Sequence, residues 1–144
     1  MQRSHIPAAG LLLVMLATTI AISGSNNTSA ERGSYIVNRV SMCADCHTPT
    51  LPGGKPDLKR RLGGAPVMLK PTMEIPDWKS HAPNLTPGGF LGGWTDARLV
   101  KFLMTGVTPE GDRAGPPMPA YRLDERDAKA VASYLRCLPP VPAK

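Results

Sequence analysis

Residues 43–47 read Cys43-Ala44-Asp45-Cys46-His47, and no other stretch constrains the chain as tightly. Two thiols separated by two residues reach the two vinyl groups along one edge of a porphyrin. The histidine that follows then falls under the metal as its proximal ligand. Two other chemistries use paired cysteines. A thioredoxin-like redox pair wants a βαβ pattern around it, and none is present. A zinc site needs a second pair of ligands, and beyond residue 30 only Cys137 and His81 remain to supply them. The run therefore points to haem c, covalently held by Cys43 and Cys46, with His47 on the iron. The motif occurs once and no internal repeat is visible, so one haem is expected.

Attachment of this kind belongs outside the cytoplasm, and the start of the chain agrees. Arg3 and His5 form a short polar segment, residues 8–22 are uncharged and apolar, and Thr28-Ser29-Ala30 offers a small-x-small cleavage site before Glu31. Residues 1–30 are thus expected to be a signal peptide and residues 31–144 the haem domain, exported to the periplasm. An apolar run from residue 6 to residue 22 is short of the roughly 20 residues a membrane span needs. An uncleaved anchor through residues 6–22 is the alternative, and it puts the domain on the outer side of the same membrane.

With 144 residues there is room for one domain. Aromatic residues make up only 5%, so a buried porphyrin has to supply apolar mass that the side chains lack. The net charge of +6 comes without a basic helical stripe or interleaved aromatics, which argues against nucleic acid. It favours a redox partner with an acidic docking face or an anionic membrane surface. Lys55, Lys59, Arg60 and Arg61 are the densest basic cluster, to be read as a solvated loop or as part of that docking face.

Three helices are expected. Over residues 31–42, Ile36, Val37 and Val40 recur at helical spacing, with Gly33 on the same face to admit another helix closely. The last helix carries a stripe of Ala128, Val131, Ala132, Leu135 and Leu138 beside Tyr134, and is the expected partner. Asp124 caps it, Leu123 staples onto Ala128, and Pro139-Pro140 stop it. A middle helix over residues 96–105 has Thr95 as N-cap, Trp94 stapling onto Leu99, and Gly106 at its C-terminal turn. Leu99, Phe102 and Leu103 form its buried face. Residues 48–93 are rich in proline and glycine and show no period-two pattern. The expected fold is therefore all-α, with long loops wrapped around the haem. Cys137, beside Leu138, is expected to be buried and inert, with an intermolecular disulfide as the alternative.

The second axial position separates a carrier from a catalyst. Met118 lies in Gly115-Pro116-Pro117-Met118-Pro119, where flanking prolines fix the backbone and remove N–H groups that draw water to the sulfur. It is the expected distal ligand. Met42 sits on the proximal side, and Met104 packs on the middle helix. Met68, Met73 and His81 are the remaining candidates. His/Met ligation favours the reduced iron relative to bis-histidine. The Trp94 indole N–H can serve a haem propionate or belong only to the staple.

These motifs resemble the class I cytochromes c over essentially all of residues 31–140. The resemblance rests on Cys43-Ala44-Asp45-Cys46-His47, Pro83-Asn84-Leu85, Met118 and the Gly33–Tyr134 pair. It implies that the first and last helices cross at that glycine and aromatic. It also implies that the Pro83 carbonyl accepts a hydrogen bond from His47 Nδ1. Asn84-Leu85-Thr86-Pro87, Gly93-Trp94-Thr95-Asp96 and Pro117-Met118-Pro119 are similar to the haem domains of cytochrome subunits serving periplasmic alcohol, aldehyde and sugar dehydrogenases. Those subunits usually carry three haems, whereas this chain has one such motif. The implied function is single-electron transfer between a dehydrogenase or quinol-oxidising complex and a terminal acceptor, with no catalytic residues of its own. The alternatives are a cytochrome subunit bound within a dehydrogenase, and a haem enzyme with an open distal site.

Overall fold

The computed structural model describes residues 25–142; the polar segment with Arg3 and His5 and the apolar run at residues 6–22 lie outside the described residues. Among the described residues there are four α-helices: α1 (Ser25–Tyr35), α2 (Cys43–His47), α3 (Asp96–Thr105) and α4 (Glu125–Arg136). Two short strands, β1 (Gly63–Pro66) and β2 (His81–Asn84), pair antiparallel. Among the described residues, no helix is long and apolar enough to cross a membrane.

Helices α1 and α4 cross at Gly33, as the sequence implies. A Cβ built there would lie 2.0 Å from the Ala130 carbonyl oxygen and 2.8 Å from Tyr134 Cβ, so the backbones meet where no side chain fits. Polar contacts then hold the crossing angle. Arg32 clasps Asp127 with two parallel bonds of 2.9 and 2.8 Å, and Asn38 Nδ2 donates to the Tyr134 hydroxyl at 3.2 Å. Helix α1 already includes Thr28, Ser29 and Ala30, beginning upstream of the expected start at Glu31.

The expected regular helix through residue 42 does not form. After Tyr35 the backbone widens to π geometry over Ile36–Val40, with the Ser41 N–H donating to the Ile36 carbonyl at 2.8 Å. Ile36 and Val37 stay buried, but Val40 is 57% exposed. With five residues spanned by each bond the turn is wider, so a side chain three positions beyond Val37 falls well off the buried face. Val40 is therefore not part of the core stripe.

Helices α3 and α4 follow their end signals. Thr95 Oγ1 accepts from the Arg98 N–H, and Asp124 Oδ1 accepts from the Asp127 N–H. Gly106 closes α3 with φ 70°, a left-handed turn that suits glycine. Ala128, Val131, Ala132 and Leu135 face Leu99 and Leu103 in one core. Trp94 and Phe102 meet edge to face, their ring centroids 5.4 Å apart. Arg136 ties the end of α4 to the start of α3 through Asp96 and the carbonyls of Leu91 and Trp94.

Two expectations need correction. Cys137 is exposed rather than buried: it lies about 200° around the helix from Leu135, off the buried stripe. The all-α expectation holds only for the helices, because the loop over residues 48–93 contains the β1–β2 pair. Gly63-Gly64-Ala65-Pro66 and His81-Ala82-Pro83-Asn84 hold no β-branched or aromatic residue, so propensity conceals them. Backbone geometry makes the pair instead. Gly64 takes φ +84°, and a Cβ on it would lie 2.8 Å from the Asn84 nitrogen. Leu62, fully buried, accepts at its carbonyl from the Leu85 N–H at 2.8 Å and donates its own N–H to Thr48 Oγ1.

Candidate haem site

The single turn α2 starts from Met42, whose left-handed φ of 47° breaks the path of the preceding helix and redirects the chain. Cys43, Cys46 and His47 follow within one turn, so the two thiols and the imidazole are set by local helical geometry. His47 is 3% exposed, and its Nδ1 lies 2.7 Å from the Pro83 carbonyl oxygen. A carbonyl only accepts, so Nδ1 carries the proton and Nε2 keeps its lone pair. Burial pushes the His47 pKa below the ordinary imidazole value. The bond to Pro83 opposes this shift, while the charge of His81 adds to it. The result is a neutral imidazole of fixed tautomer, the form that binds a metal.

Above this turn lies a cavity of about 750 Å³. Cys43, Cys46, His47, Pro83, Trp94 and Met118, all the expected site residues, line it together. Most of the rest of its wall is apolar, with Leu85, Leu91, Leu99, Phe102, Val131 and Leu135 among it. Met118 enters from the segment between α3 and α4. Its N–H donates to the Gly115 carbonyl at 3.2 Å, and the Pro116 carbonyl accepts from the Lys79 N–H at 2.7 Å. Met68 and Met73 are strongly exposed and do not line the cavity, whereas His81 does.

Tyr121, Thr108 and Arg113 are among the lining residues that sequence reasoning did not single out. Tyr121 donates its hydroxyl to the Ser41 carbonyl at 2.8 Å, joining the Met118 segment to the turn that carries Cys43. Burial, and then Cys43, push its pKa up to about 12. Burial likewise raises the Cys43 thiol, opposed by a hydrogen bond with Tyr121. Thr108 and Arg113 come from a tight hairpin turn closed by the Val107–Arg113 bridge. The spacing Met118-Pro119-Ala120-Tyr121 is the only sequence signal that could have flagged any of them.

These residues fit the group the motif implies. An apolar cavity suits a flat porphyrin, two thiols and an imidazole share one turn, and a thioether stands among the wall residues. The Thr108 hydroxyl is buried with no hydrogen-bond partner among the described residues, so the wall needs a polar atom from whatever fills the space. The basic side chains lining the cavity are Lys79 and Arg113; Lys55, Lys59, Arg60 and Arg61 do not line it. Arg61 instead donates to Asn38 Oδ1 at 2.6 Å.

Comparison with known proteins agrees with this geometry. The dihaem c-type cytochrome of Cereibacter sphaeroides is 30% identical over 125 residues, covering 83% of this chain and 39% of its own length. The fructose dehydrogenase cytochrome subunit of Gluconobacter japonicus is 33% identical over 122 residues, 80% of this chain and 23% of that protein. The cytochrome c subunit of the quinone alcohol dehydrogenase of Gluconobacter oxydans is 29% identical over 122 residues, 81% and 25% respectively. The chain thus spans about a quarter to two fifths of the length of these relatives. Residues 28–135 match the family described as cytochrome c oxidase, cbb3-type, subunit III. The chain belongs to that family of c-type cytochromes, whose members carry haem c.

Proposed function

We propose that this protein is a monohaem electron carrier of the periplasm, with residues 1–30 as export signal and residues 31–144 as the haem domain. One observation carries the reading: Cys43, Cys46, His47 and Met118 converge on one apolar cavity while His47 Nδ1 is committed to the Pro83 carbonyl. Bound haem supplies a one-electron couple; the rest is done by the chain. Cys43 and Cys46 hold the porphyrin edge. His47 presents Nε2, with its tautomer set by Pro83. Met118 offers a thioether, which favours the reduced state and raises the potential. The apolar wall excludes water, so little has to reorganise when charge changes. Trp94 and Thr108, both in the cavity wall, would offer hydrogen bonds to the polar edge of the porphyrin.

In this reading the chain supplies ligands and an apolar wall, and it acts as a carrier rather than an enzyme. Its partners are a dehydrogenase or quinol-oxidising complex on one side and a terminal acceptor on the other. The net charge of +6, with Lys79 and Arg113 at the cavity, favours an acidic docking face and salt-sensitive association. The names of the relatives support a second reading, in which the chain is held as a cytochrome subunit within a dehydrogenase complex; such a subunit co-purifies with its catalytic partner.

Optical spectra of the matured protein test the carrier reading. A low-spin ferric spectrum with the far-red thioether band, and a ferrous form indifferent to carbon monoxide, are expected. Prompt carbon monoxide binding would mean an open distal site and a catalytic role instead.

A further inference from the structure

Three hydrogen bonds converge on the side chain of Asn84, one residue beyond the carbonyl that holds His47. Its Nδ2 donates to the Val141 carbonyl at 2.7 Å, and its Oδ1 accepts from both the N–H and the hydroxyl of Thr86 at 2.8 Å. Thr86 Oγ1 in turn accepts from the Val141 N–H at 2.9 Å. Both backbone polar groups of Val141 are thereby held by side chains of one loop. Thr86 is 1% and Val141 8% exposed, so the bond between them is buried while those of Asn84 are partly so, and an unmade buried bond is costly.

Glycines clear the ground for this clamp. A Cβ on Gly63 would lie 2.7 Å from Val141 Cγ1, and one on Gly88 would lie 2.5 Å from the Val141 carbonyl oxygen. Pro139-Pro140 end the helical path and allow the chain to turn back over β1 and β2. The Pro83 carbonyl and the Asn84 nitrogen belong to a single rigid peptide plane. Whatever fixes Asn84 therefore fixes the direction of the carbonyl oxygen that accepts from His47 at 2.7 Å.

We propose that the C-terminal segment acts as a positioning strap, in which Val141, clamped by Asn84 and Thr86, aims the Pro83 carbonyl at His47. The proposal rests on the reading of His47 as the proximal ligand. A firm bond at Nδ1 gives the imidazole more anionic character and makes it a stronger donor to an oxidised metal. Loosening the strap therefore raises the midpoint potential, with the haem still attached and the thioether band unchanged.

The experiment compares three variants of the matured holoprotein: a truncation after Leu138, Thr86→Val, and Val141→Ala. Midpoint potential is measured by redox titration and exchange of the His47 Nδ1 proton by NMR. The truncation and Thr86→Val, each of which removes two bonds of the clamp, are expected to raise the potential and to speed exchange roughly tenfold. Val141→Ala keeps its N–H and carbonyl and should move neither quantity appreciably. Wild-type potential and exchange in Thr86→Val would overturn the strap. So would a Val141→Ala protein shifted as far as Thr86→Val, because packing and not the clamp would then set the carbonyl. A different result marks failure of the underlying reading. If the His47 ring proton resonates as in a metal-free protein and His47→Ala keeps its spectrum, ligand assignment and strap fall together.

Discussion

On the side of the cavity that carries His47, the residue proposed as proximal ligand sits in a helical turn, is 3% exposed, and bonds to a carbonyl inside a strand pair. On the side that carries Met118, the residue proposed as distal ligand sits half-buried in an irregular segment, held by single backbone bonds to Gly115 and Lys79 and by Tyr121. The first side is determined several times over and the second only a few times. The proximal ligand should thus resist exchange, and the distal one should be the site at which ligation gives way.

The largest test of this difference is His47→Ala, which should abolish stable holoprotein, scored by haem-stained gels and the absence of a low-spin spectrum. Met118→Ala should leave the haem attached and the fold intact, while opening the iron to carbon monoxide. Its stability loss should fall toward the lower end of the roughly 2–5 kcal/mol that truncating a core methionine costs, as read by denaturant unfolding. If Met118→Ala lost its haem as His47→Ala does, the two sides would not differ as described. Tyr121→Phe removes one bond between the sides and should cost about 1 kcal/mol. It should also speed exchange of the distal ligand for added imidazole while leaving the spectrum at rest unchanged.

The smallest effect belongs to the helix crossing, remote from either ligand. The Arg32 guanidinium, by hydrogen bond and then by charge, holds the Asp127 carboxyl below its usual range. A depressed folded pKa means that the folded state binds its proton less readily. The stabilisation is thus present above the unfolded value, near pH 4 by ordinary carboxylate behaviour, and is lost as pH falls through the lowered folded value. Asp127→Asn should be slightly less stable than the parent at pH 7, the two converging in acid and in high salt, with ligation unaffected throughout. A spectral change in this variant would show that the frame and the site are coupled.

Much of the frame was legible because its causes are local. Asp124 and Thr95 cap, Gly106 terminates, and a stripe of apolar residues at helical spacing must find a core, whatever the rest of the chain does. The Cys43-Ala44-Asp45-Cys46-His47 turn was legible for the same reason, since its chemistry lies within five consecutive residues. The widened turn that exposes Val40 was not legible, nor were the strand pair at Gly63 and His81, the exposure of Cys137, or the place of Tyr121, Thr108 and Arg113 in the wall. Each depends on what lies opposite in space, and neither periodicity nor propensity records that.

By itself, then, the sequence determined α3 and α4, the helix crossing at Gly33, the turn that gathers Cys43, Cys46 and His47, and the candidates for a distal ligand. These follow from near-neighbour sterics, capping and covalent spacing. Only the tertiary structure decided that β1 pairs with β2 behind the Pro83 carbonyl, that Met68 and Met73 stay out of the cavity while His81 lines it, and how Val141 returns to Asn84 and Thr86. Those outcomes join residues as many as 57 positions apart, and hydrogen bonds over such separations form only once the core has brought their partners together.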